Sequence, residues 1–267
     1  MVVKNQKERE ILREAGRRLA VILEQVAKEA KIGTKASDLD NLSYSLIKNT
    51  GGAPSFKGYV SNEIEIPFPS CLCVSVNNEI VHGIPTEDKI FKEGDIVSLD
   101  LGMKWPFNNL SDINDSSIGA LYVDVALTVP IGKISPKAKK IIKVCKKSLD
   151  IAISKVKPGN RLGDLGNAVE NFVKSQRFKV VRELGGHGVG NSVHENPIVC
   201  NFGQANTGMI MKEGMVLALE PMIVAGKDKI ILDDNGWTWK TRDKSISAHF
   251  EHSVLITKNG VEILTKN

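Results

Sequence analysis

Apolar side chains recur at helical spacing over residues 5–30, which predicts a first amphipathic helix. A second helical pattern begins near Leu39 and ends at Gly51–Gly52, where paired glycines are a typical helix stop. A third pattern covers residues 136–156, and a fourth ends near Phe178. We therefore expect four helices, two in each half of the chain.

Runs rich in valine, isoleucine and leucine predict strands between and after the helices. These runs are Ile96–Leu101, Leu121–Val129, Val216–Val224, Lys229–Leu232 and His249–Thr257. Both halves thus follow the order helix, linker, helix and then strands, which indicates a chain of the α/β (α+β) class.

The linkers between the paired helices resemble each other. KIGTKASDLDN at 31–41 and KPGNRLGDLGN at 157–167 share five identical positions at an offset of 126 residues. Together with the repeated order of elements, this match indicates an internal duplication. We expect a single domain over residues 1–267, with halves of about 1–125 and 126–267 and a functional site at their seam.

The composition narrows the class of protein. A chain of 267 residues with 42% hydrophobic residues can build one large core, and its net charge of +5 permits only weak attraction to acidic surfaces. The four cysteines lack C-x-x-C spacing, so we interpret them as reduced thiols. The charged amino terminus and the lack of a long apolar segment predict a cytoplasmic protein without a membrane span.

Four acidic residues lie in or beside predicted strands, where charge is unusual. They are Asp100 in IVSLDLG, Asp124 in LYVDVALTV, Glu220 in VLALEP and Glu251 in HFEHSV. Each alone is typical of an edge residue or of a partner for a lysine or arginine. Together in an apolar sheet they would repel one another and raise each other's pKa unless cations neutralised them. Two divalent ions about 3.5–4 Å apart would do so and would also activate a water.

The segment GGHGVGNSVHENP at 185–197 carries His187 and His194. It lacks the HExxH spacing of helical zinc sites, and in isolation it is typical of a glycine turn. Combined with the four carboxylates, His187 gives a mainly hard donor set. Such a set favours Mn, Fe(II) or Co over a structural zinc site.

Six motifs follow one another in the order found in bacterial-type methionine aminopeptidases of type I. They are IVHGIP, VSLDLG, VDVALTV, GGHGVGNSVHENP, LALEPM and ISAHFEHSV. The chain resembles this family from about residue 5 to its end. The resemblance implies the pita-bread fold, in which two pseudo-symmetric α/β halves surround a curved antiparallel sheet with helices outside. It also implies two divalent metal ions, for which Co, Mn, Fe(II), Zn and Ni are candidates.

The same resemblance implies a role for each metal-ligating residue. Asp124 and Glu251 would bridge both ions, and Asp100 would chelate one of them. His187 and Glu220 would complete the shell of the other ion. Glu220 would also carry a proton from the attacking water to the leaving amine.

Two further histidines resemble family residues that contact the substrate. His194 in HENP would stabilise the carbonyl oxygen, and His82 in HGIP would hydrogen-bond the amide at the scissile bond. Without the resemblance, His82 beside Gly83 and Pro85 is typical of an ordinary turn histidine.

The expected methionine pocket is aromatic, with one thiol. The residues near the family's pocket positions are Phe56, Tyr59, Phe68, Cys73 and Trp237. Rings and a thiol suit an unbranched thioether, because sulfur packs well against ring edges. Taken singly, each is typical of plain core. Val193 stands where the family often has an aromatic residue, so we expect a roomier pocket wall there.

Two polar inserts depart from the family pattern. The connection over residues 104–119 is longer than usual, and it makes Asp112 and Asp115 rivals for the position of the second aspartate. Both sit among turn-forming residues, whereas Asp124 lies inside a strand, so we favour Asp124. The insert at 60–67 interrupts the pocket wall.

The resemblance implies removal of the initiator methionine from nascent polypeptides whose second residue is small. The alternatives are a proline-specific peptidase of the same fold and a catalytically silent binding module. We expect a monomer without membrane or specific nucleic-acid partners. The lysine-rich third helix is typical of a solvated face, and contact with the ribosome surface is the alternative.

Overall fold

The four helices begin and end close to the predicted positions. The computed structural model describes residues 1–3, 5–60, 66–106 and 119–267. Its helices are α1 (Gln6–Glu29), α2 (Ala36–Asn49), α3 (Pro136–Lys155) and α4 (Leu162–Ser175). Asn5 caps α1 by accepting the Glu8 N–H at 2.9 Å, and Ser135 caps α3 by accepting the Ala138 N–H at 3.1 Å. The start of α2 and the start of α4 are separated by the repeat offset, and so are their ends.

The described residues also form fifteen strands. In the first half these are β1 (Ala53–Pro54), β2 (Leu72–Val76), β3 (Glu79–Val81), β4 (Ile96–Trp105) and β5 (Leu121–Pro130). In the second half they are β6 (Lys179–Val180), β7 (Gly186–Gly188), β8 (Glu195–Val199), β9 (Val216–Leu219), β10 (Met222–Val224), β11 (Ile230–Leu232), β12 (Trp239–Thr241), β13 (Ser247–His249), β14 (Glu251–Thr257) and β15 (Gly260–Ile263).

Nine strands build the central antiparallel sheet. Its order is β1–β4–β5–β14–β9–β7–β8, with β2 also beside β4 and β15 beside β14. The remaining strands form two small sheets in the orders β13–β10–β6 and β11–β12–β3. The pair β5–β14 joins the two halves of the chain at the middle of the large sheet.

Two predicted strands are each broken in two. The run 216–224 separates into β9 and β10 at Glu220–Pro221, because proline has no N–H for the ladder. The run 249–257 separates at Phe250, because β13 pairs with β10 in a small sheet whereas β14 joins the large one. Both breaks occur beside residues of the expected site.

The apolar faces of the helices cover the sheet. Leu12 and Leu19 of α1 belong to the same buried cluster as Leu99 of β4. In the second half, Ile141 of α3 belongs to a cluster with Val254 of β14. Burying one such side chain contributes about 1.5–3 kcal/mol, so the packed helices hold the strands that carry the polar residues.

The structure also shows the state of the cysteines and whether any described helix could span a membrane. Cys71, Cys73, Cys145 and Cys200 are all free thiols. Within the described ranges, every helix is too short or too polar to cross a membrane.

Candidate active site

Strand pairing places three carboxylates on one face of the sheet. Asp100 in β4 lies directly across from Ala126 in β5, and Glu251 in β14 lies across from the same alanine on its other side. Asp124 is two residues from Ala126, so its side chain points to the same face. The small Ala126 side chain therefore stands among three buried carboxylates.

A second set of pairings brings the remaining predicted ligands to this face. His187 in β7 lies across from Ala218 in β9, which lies across from Ser253 in β14. Ser253 is two residues after Glu251, and Glu220 is two residues after Ala218. Because alternate residues of a strand share a face, all five predicted ligands converge.

The short strand that carries His187 depends on its glycines. A Cβ at Gly186 would overlap the carbonyl oxygen of Ala218, and a Cβ at Gly188 would overlap that of Asn196. The neighbouring backbones thus approach β7 too closely for any side chain at these two positions. The glycines of this segment serve the placement of His187 between β8 and β9.

The ring of His187 is oriented toward the carboxylates. Its Nδ1 lies 2.9 Å from the carbonyl oxygen of Gly188, so Nδ1 can donate there and Nε2 is directed toward the carboxylates. This Nε2 lies 3.5 Å from Oδ2 of Asp124 and 3.5 Å from Oε1 of Glu220. Ligand atoms of Asp124, His187 and Glu251 all lie within 4.8 Å of one another, so a single ion could contact all three.

Burial and mutual repulsion strongly perturb the carboxylates. Burial, with the charges of Glu220 and Asp124 nearby, raises the pKa of Asp100 to about 7. Burial, with the charge of Asp124, raises the pKa of Glu220 to about 8. The pKa of Glu251 lies well above its ordinary value for the same reasons. Without a cation, the cluster therefore retains protons near neutral pH.

These residues fit a divalent metal. Their donors are carboxylate oxygens and one imidazole nitrogen, which suit first-row divalent ions. In the part of the chain that the structure describes, Oδ1 of Asp100 is buried without a hydrogen-bond partner. A cation would supply the missing partner and would remove the repulsion that raises the pKa values.

Both predicted substrate-contacting histidines line the same cavity. Nδ1 of His194 lies 2.8 Å from the hydroxyl of Tyr59, and the ring stands edge-on to His187 with centroids 4.4 Å apart. Nδ1 of His82 is buried without a partner among the described residues. Desolvation and neighbouring imidazoles lower the pKa of His82 to about 4 and also lower that of His194, so both rings are neutral.

An apolar wall adjoins the carboxylates in a cavity of about 330 Å³. The wall contains every residue predicted for the methionine pocket, namely Phe56, Tyr59, Phe68, Cys73 and Trp237. Phe68 and Trp237 pack edge to face with centroids 5.3 Å apart. Cys73 lies across from Asp100 in the β2–β4 pairing, so the wall and the polar cluster are directly joined.

Sequence reasoning missed several residues of this site. Glu183, Leu184 and Trp239 also line the cavity, and no motif pointed to them. His249 lies behind it, with Nε2 3.4 Å from Oε2 of Glu220. A signal for His249 was present, because it stands two residues before Glu251.

Comparison with known proteins shows to which family this arrangement belongs. The profile of Metallopeptidase family M24 matches residues 10–258. Methionine aminopeptidase 1 of Bacillus subtilis (strain 168) is 40% identical over 266 residues, which cover 100% of this chain and 99% of that protein. The crystal structure of methionine aminopeptidase from Thermotoga maritima is 39% identical and superposes with a TM-score of 0.89 over 100% of both chains. The chain belongs to the methionine aminopeptidases of family M24.

This family membership confirms the fold and the enzyme class predicted from the six motifs. The prolidase from Pyrococcus horikoshii shares the fold, with a TM-score of 0.72 at 22% identity, but this chain spans 64% of its length. Methionine aminopeptidases are instead matched over nearly their whole length. The comparisons therefore do not favour the proline-specific alternative.

Some sequence expectations concern residues that the structure does not describe. Asp112 and Asp115 lie outside the described residues, as do residues 61–65 of the first insert. Asp124, the favoured candidate, is buried in β5 beside His187. Val193 is buried and does not belong to the described lining of the cavity, which argues against its widening the methionine pocket.

Proposed function

We propose that this protein is a metal-dependent aminopeptidase that removes the initiator methionine from polypeptides whose second residue is small. The observation that carries the proposal is a single cavity. It joins a carboxylate–imidazole cluster suited to divalent ions to an apolar wall suited to a thioether side chain. The names of the full-length relatives support the same activity.

Two divalent ions are proposed as cofactors, drawn from Co, Mn, Fe(II), Zn and Ni. Asp124 and Glu251 would hold both ions, because they face the centre from adjacent strands. Asp100 would hold one ion, and His187 with Glu220 would hold the other. When bound, such ions polarise the substrate carbonyl and make a water nucleophilic at neutral pH.

The protein's own groups would handle the protons and the developing charge. Glu220 lines the cavity beside His187, so with the ions bound it would be placed to accept a proton from the attacking water and deliver it to the amine as the peptide C–N bond breaks. Tyr59 donates to Nδ1 of His194, which leaves Nε2–H of that ring to stabilise the carbonyl oxygen. His82 would hydrogen-bond the scissile amide from the same cavity.

The methionine side chain would lie against Phe68, Cys73 and Trp237, which are buried together. Ring edges suit sulfur, and the flexible unbranched chain can pack against this apolar wall. The substrates would be the amino termini of nascent polypeptides. We further propose a monomeric cytoplasmic enzyme whose single domain arose by duplication. Contact with the ribosome surface through the lysines of α3 is a further hypothesis about its partners.

The activity is tested with purified protein reconstituted with Mn(II), Co(II) or Fe(II) under reducing conditions. We expect release of methionine from Met-Gly and Met-Ala peptides but not from Met-Lys peptides, and no cleavage of Xaa-Pro peptides. An Asp124→Asn variant serves as the matched inactive control. Preference for Xaa-Pro substrates would refute the proposal, and bound metal without any peptidase activity would favour a binding module.

A further inference from the structure

His249 is a buried histidine whose position is fixed through its backbone. It ends β13 opposite Met222 of β10. Its N–H donates to Oγ1 of Thr128 at 2.9 Å, and its carbonyl oxygen accepts from the same hydroxyl at 2.7 Å. The side chain, with a residue exposure of 1%, therefore has a defined origin and little freedom to turn elsewhere.

The imidazole of His249 meets no hydrogen-bond partner in the described parts of the chain, at either Nδ1 or Nε2. Burying a polar ring without partners is unfavourable, so such a ring usually serves a function. Oε2 of Glu220 lies 3.4 Å from its Nε2. The other oxygen of Glu220, Oε1, faces His187 instead.

Two roles are compatible with this location, and the cavity distinguishes them. The five proposed metal ligands all line the cavity, whereas His249 does not belong to its described lining. To ligate an ion directly, His249 would have to reach the cavity in which the five proposed ligands meet. His249 lies instead on the far oxygen of Glu220, where partners that orient a ligating carboxylate are found in metal sites.

We propose that His249 is a positioning residue, which holds Glu220 in the orientation for metal binding by donating from Nε2–H to Oε2. This inference rests on the proposed function only in assigning Glu220 to the metal. The donation leaves Oε1 on the His187 side available for an ion. It also provides the buried imidazole with a hydrogen-bond acceptor. The distance of 3.4 Å from Nε2 to Oε2 is slightly longer than that of a good hydrogen bond.

The test compares two replacements of His249. His249→Gln retains an N–H donor of similar reach, whereas His249→Leu fills the space without a donor. We expect His249→Leu to weaken Mn(II) binding by about 10–100-fold in calorimetric titration, and His249→Gln to restore most of the affinity. His252→Leu is the matched control, because His252 bonds Thr265 on the other face of β14 and should leave Mn(II) affinity unchanged.

A double-mutant cycle tests whether the effect passes through Glu220. In a Glu220→Gln background, His249→Leu should cause little further loss of Mn(II) affinity. Unchanged Mn(II) affinity of the single His249→Leu variant would overturn the proposal. Equal losses in the Gln and Leu variants, with additive behaviour in the cycle, would instead make His249 a direct ligand and would also overturn it.

Thermal unfolding of the metal-free variants separates positioning from a structural role. We expect metal-free His249→Leu to unfold at nearly the same temperature as the parent, because leucine keeps the buried space filled and only one long contact, 3.4 Å from Nε2 to Oε2 of Glu220, is lost. A lowered unfolding temperature matching the loss of affinity would assign His249 to the core. The Mn(II) titrations contain no peptide, so they do not depend on peptidase activity. If the wild-type protein bound Mn(II) but cleaved no peptide, the proposed activity would be refuted, whereas the role of His249 could still be tested.

Discussion

The hydroxyl of Ser253 lies 2.7 Å from Oδ1 of Asp124 and accepts the Asp124 backbone N–H at 3.0 Å. One serine in β14 thus contacts both the main chain and the carboxylate of a residue in β5. With Oδ1 held in this way, Oδ2 faces Nε2 of His187. The orientation of a proposed bridging ligand is therefore fixed across the seam between the halves.

Replacing this serine should weaken metal binding without abolishing it. We expect Ser253→Ala to raise the Kd for Mn(II) by about 10-fold or more, because an orienting partner of a ligating carboxylate is lost. Titration calorimetry measures the change. Ser43→Ala, which also removes a buried hydroxyl but lies in α2, should leave the Kd unchanged. Equal effects of the two substitutions would rule out a specific role for Ser253.

The metal-free protein should lose stability as the pH rises. The pKa values of about 7 for Asp100 and about 8 for Glu220 exceed those of the unfolded chain, so the folded state binds more protons. The resulting stabilisation is complete below the ordinary carboxyl pKa and is lost as the pH rises through the folded values. Urea unfolding in a chelator, between about pH 5 and pH 9, measures this dependence. Glu220→Gln should reduce the slope, and an unchanged slope would contradict the assignment.

The hydroxyl of Tyr59 should contribute to turnover through His194. Burial raises the pKa of Tyr59, so its hydroxyl stays protonated and can donate to Nδ1 of His194. We expect Tyr59→Phe to lower kcat by about 3–10-fold with little change in KM, since one hydrogen bond contributes about 0.5–1.5 kcal/mol. Steady-state kinetics on a Met-Ala peptide measures both kcat and KM. Tyr44→Phe on α2 is the control, and a change confined to KM would contradict the proposed role.

A methyl group at Gly102 should disturb the apolar wall. Gly102 pairs with Asp124, and a Cβ there would overlap Oγ of Ser55 and the ring of Phe56. The ring must then move, so we expect Gly102→Ala to raise KM for methionyl peptides several-fold while the protein still binds Mn(II). Gly119→Ala, where a Cβ meets open space, should change neither quantity. An unaltered KM would show that Phe56 does not shape the methionine pocket.

Local sequence patterns predicted the helices and the identity of the buried acids well. The apolar periodicity of α1 and that of α3 are local signals, and both helices lie where those patterns predicted them. Asp100 and Asp124 stood out because charge inside a strand is rare. The motif order then supplied the family, which alternation of residues alone could not have done.

Local sequence patterns could not predict which distant strands pair or in which register. Nothing in the sequence states that Glu251 and Asp100 flank the same alanine, because that depends on the register of three strands far apart in the chain. The break at Phe250 was missed because strand propensity does not reveal when a strand changes sheets. The contact between His249 and Glu220 was missed for the same reason, since it exists only once both breaks are formed.

The position of Ala126 among three carboxylates has a consequence for how metal would be gained and lost. Asp100, Asp124 and Glu251 belong to paired strands, so their spacing is set when the chain folds. Folding of the chain therefore already includes the entropy cost of ordering these ligands, before an ion binds. Small domains that fold around their metal differ in this respect. Ions could exchange with the surrounding pool while the enzyme stays folded, and the supply of metal in the cell could select which ion does the work.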